Sequence, residues 1–183
     1  VSEPRPLPLV VKIGGGLLGS EGLDGLRRGC AEVLELARDQ PVLVVPGGGP
    51  FADAVRALDA QVGLGDHVAH ALALRAMDQL GVLLAPMLPG AEPIVRLVAP
   101  RALGLLAVEP AFAGRPGVPE SWAVTSDSLA VLAAGAIGAE EAILLKPVDG
   151  GAVDPYLPEA VRRTGVTVVV RAPDGLGTRI TPG

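Results

Sequence analysis

Short runs of apolar residues alternate along this chain with longer stretches in which apolar residues recur every three or four positions. The first run, "PLVVKI" (8–13), is bounded by Pro8 and Gly14 and predicts a short buried strand. Helical spacing follows over 23–37, with Leu23, Leu26, Cys30, Val33, Leu34 and Ala37 on one face. Pro41 ends that helix, and "PVLVVP" (41–46) predicts a second buried strand. A helix beginning near Phe51, with Ala52, Val55 and Leu58 on one face, precedes a long apolar helix over 68–88. "EPIVRLV" (92–98) predicts a strand, whereas 101–117 carries several turn residues and is ambiguous, the Gly/Pro-rich part 110–119 reads as a surface loop, and a lid over 101–119 is left open. The small-residue helix "SLAVLAAGAIGA" (128–139) can be capped by Thr125 or Ser126. The strand "AILLK" (142–146), the helix "YLPEAVRRTG" (156–165) and the strands "VTVVV" (166–170) and "GTRI" (177–180) complete the pattern.

Strands that are apolar on both faces and alternate with helices predict an α/β fold, with a mostly parallel sheet covered on both sides. The 183 residues suffice for one domain, expected over 1–183. The run 68–88 contains His70, Arg75, Asp78 and Pro86. That is too polar for a span, so it is expected as a buried helix and no membrane partner is expected. The net charge of -5 and 2% aromatic content argue against a nucleic-acid partner. Cys30, the sole cysteine, is expected to fill the core of a protein in a reducing compartment. "VSEPRPLPLVV" lacks the basic and apolar regions of a signal peptide, so a cytoplasmic location is expected.

Candidate chemistry sits at the ends of the predicted strands. Gly14, Gly15 and Gly16 follow the first strand, and Gly47, Gly48 and Gly49 follow the second. Successive bare N–H groups at such turns can cradle anions, or the glycines can simply permit tight turns. The pattern is neither a P-loop nor a dinucleotide fingerprint, because the lysine precedes the glycines and the spacing differs. Of fifteen basic residues only Lys12 and Lys146 are lysines, and both lie in apolar runs. A buried ammonium is costly unless it meets an anion or reaches water. A compact point charge suits a crowded phosphate site, although a snorkelling strand-end lysine is the alternative. Asp127 stands in the first turn of its helix, either as a functional carboxylate or as a dipole partner. Asp149 and Gly150 form a turn or a ligand contact.

Three segments in this order, "VVKIGGGLL", "VVPGGGPFADAVR" and "TSDSLAVLAAGAIGAEEAILLKPVDG", resemble the amino acid kinase family. The resemblance implies a three-layer αβα sandwich, with the phosphoryl acceptor over about 1–120 and ATP over a shortened nucleotide-binding half at about 121–183. It implies that Lys12 stabilises the transferring phosphoryl group, that Gly14, Gly15 and Gly16 cradle it, and that Gly47, Gly48 and Gly49 close on the acceptor. Asp127 would hold the ammonium groups in place. Lys146, Asp149 and Gly150 would serve the nucleotide, with Mg²⁺ accompanying ATP and no separate protein metal site. Many members have serine at the position of Gly16, and threonine at that of Lys146. The glycine- and lysine-bearing segment that often follows the V-D-G turn is absent here.

A narrower likeness, carried by "FADAVR", Ala69-His70, "AMDQ" (76–79) and "LLKPVDG", is to the branch typified by the aminomethylfuranyl-methyl phosphate kinase of methanofuran biosynthesis. That branch implies an acceptor that is already a phosphate monoester and bears an amine. Arg56 and His70 are then candidates for its phosphate, and Asp53 and Asp78 for its amine. Asp53 and Arg56 could instead pair on a helix surface, and His70 and Asp78 could be structural. The alternatives are a kinase of the same fold for a carboxylate or for an isoprenoid or nucleoside monophosphate, and a non-catalytic anion-binding protein. Family likeness also implies a homodimer or higher homo-oligomer, with helix 68–88 as the candidate interface.

Overall fold

A computed structural model describes residues 6–148, 152–173 and 175–182. Among these residues seven strands form a single sheet in the order β3-β4-β2-β1-β5-β6-β7. They are β1 (Leu9–Ile13), β2 (Val42–Pro46), β3 (Glu92–Ile94), β4 (Leu103–Leu106), β5 (Glu141–Leu145), β6 (Thr167–Arg171) and β7 (Gly177–Ile180). All neighbours run parallel except β6 and β7, which are antiparallel. The helices are α1 (Gly15–Leu36), α2 (Gly49–Val62), α3 (Asp66–Leu84), α4 (Val108–Phe112), α5 (Ser126–Ile137) and α6 (Leu157–Thr164).

Side-chain alternation along the sheet creates two cores. Leu9, Val11 and Ile13 of β1, with Val42, Val44, Ile143 and Leu145, pack against Leu17, Leu26, Cys30 and Val33 of α1. Val10, Leu43, Val45, Ala142 and Leu144 face the other way, onto Leu129, Ala130 and Ala133 of α5 and Ala160 of α6. Lys12 shares the parity of Val10, so it rises from the sheet on the α5 side. The helix α3 contributes Leu74 and Met77 to the second core and Leu80 and Leu84 to the first. By length and composition the run Asp66–Met87 is apolar enough to cross a membrane, but half of its most apolar window is buried inside the protein. Burial pushes the Cys30 thiol up to about 12, which leaves it an inert filler under α1.

Three elements differ from the sequence expectation. The first helix begins at Gly15 rather than Leu23, and Gly22, at φ 62° and ψ −151°, breaks it internally. Gly15, Gly16, Gly19 and Gly22 depress helix propensity in this segment, so apolar periodicity becomes legible only past the break. The third strand ends at Ile94 instead of Val98. It is an edge strand, where Pro93 is tolerated. The ambiguous stretch holds β4, whose short LGLL run is paired on both sides, and α4.

The chain leaves β1 toward β2 on one side and returns to β5 on the other. The β1/β5 boundary is therefore the topological switch point, where ligands bind beyond the strands' carboxyl ends. Above it the two glycine loops lie backbone against backbone. Gly14 N–H donates to Leu145 O at 2.9 Å, and Gly47 N–H donates to Ile13 O at 2.9 Å. A Cβ on Gly15 would fall 2.1 Å from Gly49 N, and one on Gly47 would fall 2.6 Å from Gly15 N. Gly15→Ala should therefore cost roughly 3 kcal/mol by urea unfolding. Gly29→Ala, where a Cβ would meet Leu17 Cδ1 at an ordinary 3.6 Å, should instead gain about 0.5–1 kcal/mol.

Candidate active site

Lys12, Asp127 and Lys146 meet at the switch point. Lys12 is directly opposite Leu144 on β5, and Lys146 follows Leu144 by two positions, so both ammoniums emerge on the α5 side. Asp127, in the first turn of α5, receives them on separate oxygens. Lys12 Nζ lies 2.8 Å from Oδ1, and Lys146 Nζ lies 2.8 Å from Oδ2. The Lys146 contact is also a hydrogen bond, and Lys146 donates a second one to Ala152 O at 2.8 Å. The Lys12 contact is a charge pairing without hydrogen-bond angles. All three residues are at most 7% exposed.

Burial alone would raise the Asp127 carboxyl, but Lys12 and then Lys146 outweigh it and hold the group below the ordinary carboxylate range. Lys146 is pushed below the usual lysine value by burial first and by the Lys12 charge second, with Asp127 opposing. Two cations thus share one carboxylate, and the trio carries a surplus positive charge where an anion can reach it.

A carboxylate that sequence reasoning missed fixes this arrangement. Asp154, 6% exposed, accepts from Thr125 N–H at 3.0 Å, Thr125 Oγ1 at 2.9 Å, Ser128 N–H at 2.9 Å and the Ser128 hydroxyl. It clamps the residues on both sides of Asp127 and caps α5. Thr125 occupies the N-cap position, yet its hydroxyl donates to Asp154 instead of capping. The signal was faint: an Asp-Pro pair in a loop reads as a turn. By contrast α1 and α2 receive no side-chain cap among the described residues, and both N-termini open into the same cleft.

That cleft has a volume of about 280 Å³. Lys12, Lys146, Asp127, Gly15, Gly16, Gly48 and Gly49 line one part of it, and Asp53, Arg56, His70 and Trp122 another. Gly14 and Gly47 stand behind the lining and bear the loop-to-loop contacts. Arg56 Nη1 lies 2.9 Å from Asp53 Oδ1 on exposed α2 surface, so the helix-surface pairing exists within the cleft lining. His70, buried at 6% exposure, is lowered from its ordinary value by burial, with Glu120 opposing and His67 assisting. Burial thus favours its uncharged form, a hydrogen-bonding ring on the cleft wall.

Asp78 does not reach the cleft. Its Oδ1 accepts from Val108 N–H at 2.5 Å and its Oδ2 from Glu109 N–H at 3.1 Å, which caps α4. Asp149 and Gly150 lie outside the described residues.

A second cleft, of about 640 Å³, lies beyond β5, β6 and β7. Val148, Val153, Val170, Leu176 and Ile180 form apolar walls, and Lys146 lines both clefts. Among the described residues no three His, Cys, Asp or Glu side chains group to hold a metal. Both Asp127 oxygens face ammoniums, so a protein-held Mg²⁺ does not fit this trio.

A mostly parallel α/β sheet carries two helix N-termini and two buried lysines at its switch point, and their charge and bare N–H groups suit an anion. Residues 8–150 match the Amino acid kinase family, and the chain belongs to that family. It is 27% identical over 148 residues to the "[5-(aminomethyl)furan-3-yl]methyl phosphate kinase" of Methanocaldococcus jannaschii, a match covering 77% of this chain and 66% of that enzyme. The fold is that of the uridylate kinase of Archaeoglobus fulgidus, with TM-score 0.68, 17% identity and 90% of each chain covered. It is also that of the UMP kinase of Ureaplasma parvum, with TM-score 0.68, 12% identity, and 94% of this chain and 92% of that one covered.

Removing one partner from a buried ion network costs about 3–5 kcal/mol, so Asp127→Asn should lose that much in urea unfolding at pH 7. The Asp127 carboxyl is held low, so its stabilisation is complete above the ordinary carboxylate value. It is lost as pH falls through the depressed folded value. Wild type should show that acid-limb decline in stability, and Asp127→Asn should lack it.

Proposed function

We propose that the protein is an ATP-dependent kinase that transfers the γ-phosphoryl group to a phosphate monoester bearing an amine, of the aminomethylfuranyl-methyl phosphate class. The observation that carries this reading is the placement of Lys146 as a wall common to both clefts, with Lys12 tied to it through Asp127. A phosphoryl group passing between ligands bound in the two clefts crosses this junction. Family membership supports the reaction class, and the furanylmethyl phosphate kinase match supports the acceptor.

ATP supplies the phosphoryl group, and the apolar second cleft suits its nucleoside. Phosphoryl transfer asks the protein for alignment and charge stabilisation more than for covalent help. Lys12 and Lys146 place two ammoniums where charge accumulates on the equatorial oxygens. Asp127 holds both without neutralising them, and Asp154 holds Asp127. The bare N–H groups at the starts of α1 and α2 add dipoles aimed at the same point. At the other end of the first cleft, Arg56 suits the acceptor's phosphate and Asp53 its amine, with His70 as an uncharged hydrogen-bonding partner. Mg²⁺ belongs to this proposal as the counter-ion of ATP, held by phosphate oxygens.

Phosphorus NMR with Mg-ATP and [5-(aminomethyl)furan-3-yl]methyl phosphate tests the proposal. A diphosphate product and ADP should appear together. Lys12→Ala should lower kcat by roughly 100- to 1000-fold while changing acceptor binding little. Asp154→Asn, which removes no hydrogen bond to either ammonium, should lose less. No product with this acceptor or a panel of other phosphates and carboxylates, with ATP unconsumed, would overturn the kinase reading.

A further inference from the structure

We propose that Trp122 is the positioning residue of the acceptor end: fixed by Asp59, its indole sets the Arg56 guanidinium against the cleft, where its remaining donors meet the acceptor's anionic group. The acceptor's identity as a phosphate ester rests on the reading above, but the geometry does not. Trp122 is the chain's sole tryptophan. Its Nε1–H donates to Asp59 Oδ2 at 2.8 Å, and Asp59 Oδ1 accepts from Leu64 N–H at 2.8 Å. Asp59 is thereby fixed at the end of α2, where Gly63 takes the left-handed conformation that terminates the helix. An indole held through its N–H by a fixed carboxylate keeps one orientation.

Arg56, one turn earlier on α2, lies with its guanidinium carbon 4.8 Å from the indole centroid, within cation–π range. One edge of the guanidinium meets Asp53. Its other donors have no protein partner among the described residues, and Arg56, Asp53 and Trp122 all line the cleft that contains Lys12. Other arginines on this surface also pair with an acid three residues away: Arg27 with Asp24, Arg38 with Glu35, and Arg162 with Glu159. Among the described residues only Arg56 adds an aromatic face, which a plain surface pair does not need. Glu120, two residues before the tryptophan, pairs with His67 of α3 at 2.7 Å, so the segment is tied down at a second point. The segment 120–122 thus forms a fixed wall of the cleft, and Trp122 fixes what Arg56 can reach.

The test uses phosphoethanolamine, a small amine-bearing phosphate monoester, with calorimetric binding to wild type and variants. Wild type should bind it, and the emission of the sole tryptophan should change saturably. That saturable change should disappear in Arg56→Ala. Trp122→Ala should weaken binding by roughly tenfold, and Trp122→Phe, which keeps a ring but no N–H, by less. The double variant Trp122→Ala/Arg56→Ala should bind no worse than Arg56→Ala alone, and ADP binding should be unchanged throughout. Turnover with an accepted phosphate ester should show the loss in KM and not in kcat. Additive losses, an equal loss of ADP binding, a fall in unfolding midpoint that tracks the binding loss, or no binding by wild type would each overturn the proposal. Failure of the kinase reading shows separately, as no ADP formed from any acceptor while the binding pattern persists.

Discussion

Two buried ammoniums on the two oxygens of Asp127 are the constraint around which this molecule is arranged. A buried ammonium needs an anion to meet, and the two lysines together hold the carboxylate below its ordinary range against the effect of burial. The requirement reaches far into the fold. β1 and β5 must be neighbours in the observed register, α5 must start above them, and Asp154 must return from the following segment to cap that start. The surplus positive charge left over is what an anionic ligand can use. Stability and chemistry therefore draw on the same three side chains.

The glycine loops answer to two demands at once. Gly14 and Gly47 are required by neighbouring backbone, since any side chain would collide with Leu145 O or Gly15 N. Gly16 and Gly48 line the cleft at helix ends that no side chain caps among the described residues. Close approach of the loops brings the two helix N-termini together at the cleft. The tight-turn reading of these glycines is what the backbone packing shows, and the same packing leaves N–H groups at the cleft wall for the proposed anion.

Much of this was legible from residue order, because parallel strands buried on both faces leave continuous apolar runs. Lys12 and Lys146 stood out against an arginine-rich background, and Asp127 against a small-residue helix. What escaped detection was long-range or masked by composition. Asp154 looks like a turn residue until its loop is seen folding back on α5. Trp122 acquires its role from Asp59 and Arg56 on a different element. Asp78 could be read equally as a ligand contact or a cap, and only the position of α4 decides for the cap. The start of α1 was hidden because glycines needed for loop packing also weaken the helical signal.

The alternation of the sheet gives the lysine pair a meaning for folding itself. Were β5 to pair with β1 one residue out of register, Lys146 would no longer stand on the Lys12 side. It would point into the apolar layer beneath α1, with no carboxylate to meet. Such mispairing of two apolar strands costs little in apolar contacts alone, and a misplaced ammonium makes it far more costly. The charged trio thus acts as a key that admits one alignment of the central strands. A descendant that abandoned the chemistry would keep more stability by replacing all three residues together than by losing one, which couples the core of this architecture to its site.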